Sequence, residues 1–111
     1  MRRGEIYYAD LSPTVGSEIN KRRPVLIVSN DANNRAGSTL TVLPITSNVS
    51  RVYPFEVFVP AREGGLRRDS KAQAQQIRTI SKERLLGSPV GRVTASTMRK
   101  TDDAMRLHLE L

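Results

Sequence analysis

The sequence predicts a small α+β fold, mostly antiparallel β-sheet bent into a barrel, with short helices and one helix closing the C-terminus. Three observations predict it. Five or more short runs rich in Val, Ile, Leu, Phe and Tyr are separated by clusters of Gly, Pro, Asn, Asp and Ser. No strand–helix–strand alternation of the kind that builds a parallel sheet is present, and an apolar spacing of three and four residues occurs only near the C-terminus. With 111 residues, 38% of them hydrophobic, the chain accommodates one domain over residues 1–111 with a modest core. Pairing with a second copy is the expected way to complete its burial.

Element by element, Glu5–Leu11 reads as a first strand stopped by Ser12-Pro13, and Ser12–Arg23 as a polar loop. Pro24–Ser29 is apolar at successive positions, the pattern of a central strand covered on both faces. Asn30–Gly37 is dense in residues whose side chains can bond to their own backbone, which predicts a turn or one helical turn. Ser38–Ser47 is a third strand in which Pro44 marks a bulge or an edge. Pro54–Pro60 is a fourth, with Phe55, Val57 and Val59 alternating against Glu56 and Phe58.

Ala61–Asp69, containing Gly64-Gly65, is expected as a flexible turn, and Ser70–Ile80 as one or two short strands in which Gln76–Ile80 alternates. Ser81 is placed to cap a short helix over Lys82–Leu86 that Gly87, Ser88 and Pro89 end, followed by a last strand at Val90–Val93. Thr94 caps the final helix, where Ala95, Met98, Met105 and Leu109 predict one narrow apolar stripe.

A net charge of +7 makes a polyanion the leading partner, through faster encounter and release of counterions on contact. Arginine carries most of this charge, since Lys21, Lys71, Lys82 and Lys100 are the only lysines, and a guanidinium holds a phosphate with two parallel bonds. The absence of cysteine excludes disulfides, thiol nucleophiles and thiolate metal sites, and suits a reducing compartment. No apolar run approaches the ~18 residues of a membrane span, and Met1-Arg2-Arg3 leads into Gly4-Glu5 rather than a signal core. A soluble, cytoplasmic protein without membrane association is expected.

Several chemistries lack their residues. Asp102-Asp103 is the one adjacent acidic pair, and neighbouring helix positions do not share a face, so no metal site is expected. His108 is the single histidine, which rules out a two-histidine acid–base pair within one chain. Gly64-Gly65 lacks the lysine and helix of a phosphate-cradling loop. What remains is a reaction that RNA partly performs itself, its 2′-hydroxyl attacking the adjacent phosphate while the protein positions and stabilises. A fixed arginine and a hydroxyl at strand ends suffice for that, and Arg23, before Pro24, and Thr46, before Ser47, occupy such ends. The same residues also read as a solvated strand-end charge and an ordinary β-branched strand end.

Arg3-Gly4-Glu5-Ile6-Tyr7 with Ala9-Asp10-Leu11, Gly16-Ser17-Glu18, Arg23 through Asp31, and Pro44-Ile45-Thr46-Ser47 occur in an order and spacing that resemble the MazF/PemK family of bacterial toxins. Arg68-Asp69-Ser70, Gln76-Ile77-Arg78-Thr79-Ile80 and Val90-Gly91-Arg92-Val93 continue the resemblance over essentially the whole chain. It implies an SH3-like barrel, a two-fold homodimer, and sequence-selective cutting of single-stranded RNA, usually mRNA, that halts translation and growth. It also implies 2′,3′-cyclic phosphate and 5′-hydroxyl products, no cofactor and no metal. An acidic MazE-like antitoxin whose flexible segment covers the RNA groove is the implied regulator.

By the same resemblance Arg23 and Thr46 match the proposed catalytic pair. Transition-state electrostatics suits Arg23 better than base action, because a guanidinium with a pKa above ~12 is scarcely ever neutral. Ser17, Glu18, Lys21, Arg22, Ser47, Gln76 and Arg78 are the candidate RNA contacts, with Gln76 and Arg78 expected on a strand that lines the groove. Arg78 reads equally as a structural ion-pair partner. Ile19 stands where many members have a polar residue, so polar contacts from that position do not carry over.

Two other functions compete. CcdB-like toxins share the fold and poison DNA gyrase through a C-terminal helix ending in an aromatic motif. This chain has no tryptophan and ends His108-Leu109-Glu110-Leu111, which disfavours that target. The second is a non-catalytic RNA-binding barrel in which Arg23 and Thr46 supply affinity alone.

Overall fold

The computed structural model describes residues 1–12 and 22–111. Strands β1 (Glu5–Asp10), β2 (Arg22–Ile27), β3 (Thr39–Thr46), β4 (Glu56–Val59), β5 (Ser70–Gln73), β6 (Arg78–Ser81) and β7 (Leu85–Arg92) form one antiparallel sheet in the order β4-β5-β3-β2-β1-β7, with β6 also paired to β3. Helices α1 (Asp31–Ala36), α2 (Ala61–Gly64) and α3 (Ala95–Leu109) complete the fold among the described residues. The mostly antiparallel α+β class with a C-terminal helix is therefore as expected. No described helix is long and apolar enough to cross a membrane.

The central strands are buried on both faces because alternate side chains feed two different cores. Ile6, Leu26, Val28, Leu43 and Ile45 join Val93, Ala104 and the partly buried Met98 and Met105. Tyr7, Ala9, Val25, Ile27, Leu40 and Val42 gather with Ile80 and Leu85 on the opposite face, where the sheet curls over itself. A buried Leu or Ile contributes roughly 1.5–3 kcal/mol relative to exposure, so β2 and β3 anchor the whole arrangement. The helical turn at α1 is as read, with Asn30 accepting from the Asn33 amide at 2.8 Å.

Several expectations change. Pro44 is buried in a central strand and stands opposite Val25, rather than at an edge. On the other side of β3, however, the partner changes from β6 to β5, with the 3₁₀ turn Ala74–Gln76 between them. That gap falls beside the residue with no N–H to donate. Gln76 consequently lies in this turn and not on a strand.

Gly64-Gly65 is a close backbone crossing, not a flexible turn. Gly65 has φ +67°, and a Cβ there would lie 1.8 Å from the Val90 carbonyl oxygen; one on Gly91 would lie 2.2 Å from that of Gly64. The short helix expected over Lys82–Leu86 shrinks to the 3₁₀ turn Lys82–Arg84, capped by Ser81. Gly87, Ser88 and Pro89 then fall within β7, where the pairing with β1 shifts between Leu86 and Gly91. The bulge absorbs residues that read as a helix stop.

On α3 the cap is Thr94, as expected, accepting from the Thr97 amide at 3.2 Å. The buried face is Thr97, Thr101 and Ala104, flanked by Met98 and Met105, while Ala95 and Leu109 are exposed. Threonine serves on that face because Thr101 donates its hydroxyl to the Thr97 carbonyl at 2.8 Å, leaving its methyl for packing.

Candidate nucleic-acid interface

Val25 pairs with Pro44 across β2 and β3, and continuing that register by two residues brings Arg23 abreast of Thr46. Thr46 in turn pairs with Lys71, and Lys71 with Phe58. Directly opposed residues share a sheet face, so Arg23, Thr46, Lys71 and Phe58 form a row across β2, β3, β5 and β4. Arg23 and Thr46 are half-buried, and among the described residues Arg23 makes no ion pair. The Thr46 hydroxyl accepts from the Asn48 amide at 3.3 Å and retains its own proton to donate.

One step along this face lies a buried charge network that alternation in β4 did not reveal. Glu56, expected beside Phe58 on the polar side, is 6% exposed, whereas Phe58 is 43% exposed. Glu56 Oε1 accepts from Lys71 Nζ at 2.9 Å and from the Tyr53 amide at 3.0 Å, and Oε2 accepts from Gln75 at 2.6 Å and Gln73 at 3.2 Å. Lys71 also donates to the Arg51 carbonyl at 2.6 Å. Burial pushes the Glu56 carboxyl up, but these four donors outweigh it and hold it at about 2. The available signal was a carboxylate inside an otherwise apolar strand, Glu56 between Phe55 and Val57. Outside the pair, Tyr53 and Phe55 stack at 5.2 Å with Arg51 over the Tyr53 ring at 5.4 Å.

Around the β2–β3 end opens a cleft of about 330 Å³ that Arg23 shares with residues of the other sheet face, Arg22, Arg67, Arg68, Ser47, Tyr8, Leu66 and Ile45 among them, while Thr46 is not part of its lining. No carboxylate lines it among the described residues, and none of its four arginines is ion-paired there. Such a concentration of unneutralised guanidinium groups favours a polyphosphate ligand. Arg22 and Ser47, both candidate contacts from the sequence, line this cleft together with Tyr8, Arg67 and Arg68, which the sequence reading did not join to them because no periodicity links β1 to the segment before β5.

Arg78, on β6, pairs with Val42, four residues from Thr46 along β3, and neither it nor Gln76 lines the arginine cleft. Arg78 forms no ion pair among the described residues. Ser17, Glu18 and Lys21 lie outside the described residues. His108 is exposed on α3, its ring 6.4 Å from that of Phe55. No three His, Cys, Asp or Glu side chains gather as a metal site among the described residues.

A bent antiparallel sheet with a closing helix thus carries an arginine and a threonine at neighbouring strand ends, beside a cleft lined by arginines. Residues 2–109 match the model of the PemK-like, MazF-like toxin of type II toxin-antitoxin systems, and the chain belongs to that family. It is 51% identical over 116 aligned positions to endoribonuclease MazF9 of Mycobacterium tuberculosis, covering 100% of this chain and 98% of the relative. It is 40% identical to endoribonuclease EndoA of Bacillus subtilis, covering 100% and 96%. A solved mycobacterial endoribonuclease in complex with its cognate antitoxin superposes with a TM-score of 0.80 at 30% identity, covering 100% and 96% of the two chains.

Proposed function

We propose that this protein is the toxin of a type II toxin-antitoxin pair and acts as a metal-independent, sequence-selective endoribonuclease on single-stranded RNA, mRNA above all, halting translation and growth. The observation that carries this reading is the β2–β3 register, which, continued two residues past Val25 and Pro44, sets Arg23 abreast of Thr46. The 2′-oxygen attacks the adjacent phosphorus, the bond to the 5′-oxygen breaks, and 2′,3′-cyclic phosphate and 5′-hydroxyl ends result. Negative charge grows on the non-bridging oxygens in that step, where Arg23 supplies fixed positive charge. Thr46 donates a hydrogen bond to the same phosphate or relays a proton; the proton lost by the 2′-hydroxyl passes to water, and the departing 5′-oxygen takes one up from water or through Thr46.

Arg22, Arg67 and Arg68 hold flanking phosphates, and the exposed Phe58 and Tyr53 offer faces on which bases stack. Ser47 extends the hydroxyl contacts at the end of β3, and Ser17, Glu18 and Lys21 remain candidates in the preceding loop. Gln76 and Arg78 contact RNA only if the strand reaches along β3 beyond the cleft. An acidic MazE-like antitoxin competes for this surface, the protein works as a homodimer, and the cytoplasm is its site of action. The family membership and the antitoxin complex of a structural relative support the partner assignment.

The test is incubation of the purified protein with a long single-stranded RNA in EDTA, followed by mapping of both new ends. Discrete cuts with cyclic-phosphate and 5′-hydroxyl ends, absent with Arg23→Ala, are expected. RNA bound but left intact would replace the reading with non-catalytic binding.

A further inference from the structure

The buried pair of Glu56 and Lys71 lies outside both hydrophobic clusters. A buried ion pair is in general no more stabilising than apolar residues of the same volume, so its presence calls for another role. Its bonds converge on one short segment. Lys71 holds the carbonyl of Arg51, and Glu56 holds the amide of Tyr53. The segment starts at Thr46, whose hydroxyl accepts from Asn48, and Asn48 Oδ1 accepts from the Ser50 amide at 3.3 Å and its hydroxyl at 2.8 Å. The two anchor points are joined directly, because Lys71 is the register partner of Thr46.

We propose that Glu56 and Lys71 are positioning residues for the Thr46 hydroxyl, acting through the Ser47–Tyr53 segment that both of them pin. The inference rests on the reading of Thr46 as part of the phosphate site. With Asn48 fixed against its oxygen, the hydroxyl presents its proton outward; with the segment released, the hydroxyl turns among its staggered positions and the proton is no longer aimed. The pair touches no reacting atom, so its loss lowers turnover and leaves substrate affinity nearly intact.

The full chain is compared with Lys71→Met, which strands the Glu56 carboxylate, and with the double variant Glu56→Leu/Lys71→Met, which fills the site with apolar side chains. Thermal midpoint, kcat and KM on a short single-stranded RNA bearing the mapped cut site, and hydrogen exchange of the Asn48 amide are measured. Lys71→Met is expected to lower the midpoint and the double variant to recover most of it. Both are expected to lose about tenfold or more in kcat with KM within about threefold, since small misplacements of a reacting group cost that much or more. Asn48 exchange accelerates in both.

A double variant with wild-type midpoint, kcat and Asn48 protection would overturn the proposal and leave the pair a matter of stability alone. If the wild-type protein leaves all RNA intact, the cleavage reading fails by itself, and Asn48 exchange decides: protection lost in the folded double variant upholds the positioning role, and protection unchanged sinks it. Should the double variant not fold, Glu56→Gln is measured in its place against the same outcomes.

Discussion

Thr46 stands directly opposite Lys71 in the β3–β5 ladder, so a half-buried hydroxyl at a strand end is one residue removed from a carboxylate buried at the base of β4. The consequence is a site whose polar groups are fixed before any ligand arrives. Arg23 extends the same row on β2, where nothing among the described residues neutralises it.

Arg23→Ala is expected to reduce RNA cleavage by about 10²–10³-fold, the usual cost of removing a preorganised group from developing charge. The side chain is half-buried and makes no ion pair among the described residues, so circular dichroism and the thermal midpoint should change little. A folded variant with near-normal turnover would remove Arg23 from the mechanism.

Thr46→Val keeps the β-branched shape and deletes the hydroxyl, whereas Thr46→Ser keeps the hydroxyl. Cleavage should fall by roughly 10- to 100-fold in the first and stay within about threefold in the second. Equal activity in the two, measured on the same RNA, would assign Thr46 to packing.

Acid should unfold this protein partly through Glu56. Its carboxyl is held at about 2 in the fold against an ordinary 4.5, so the associated stability is fully present above pH 4.5 and drains away as pH falls toward 2. The contribution is on the order of 3 kcal/mol. Urea unfolding between pH 2 and pH 6 should show this slope, and Glu56→Gln should flatten it; an unchanged slope in the variant would place the acid sensitivity elsewhere.

Gly65→Ala should destabilise the fold by about 3 kcal/mol or more, since it adds strain at positive φ to a collision with the Val90 carbonyl oxygen. Gly87, also at positive φ but with open space around it, provides the control. Gly87→Ala should cost only about 1 kcal/mol, the penalty of the backbone conformation alone. Similar losses at both positions, read from urea midpoints, would mean that the α2–β7 crossing gives way easily.

RNA affinity should fall steeply with salt. Replacing Arg67 and Arg68 by glutamine should reduce the slope of log affinity against log salt by about 1.4, the value for two phosphate contacts to a single strand. A slope that does not move would take the arginine cleft out of the RNA path.

The sequence by itself determined the elements whose signals are local. The double-sided burial of β2 was legible in Pro24–Ser29, the α3 cap in Thr94, and the helical turn of α1 in its asparagines, because each follows from side chains acting on nearby backbone or on a strand's own two faces. The strand-end arginine and threonine were legible for the same reason, through Pro24 and the end of β3. Tertiary structure alone decided what depends on register and close approach. That Lys71 would face Thr46 and neutralise Glu56, that Gly64-Gly65 would press on Val90-Gly91, and that Arg67 and Arg68 would meet Arg22 are pairings between distant segments. The physical reason is that alternation specifies which face a side chain takes, while its partner is set by which strand lies alongside and at what offset.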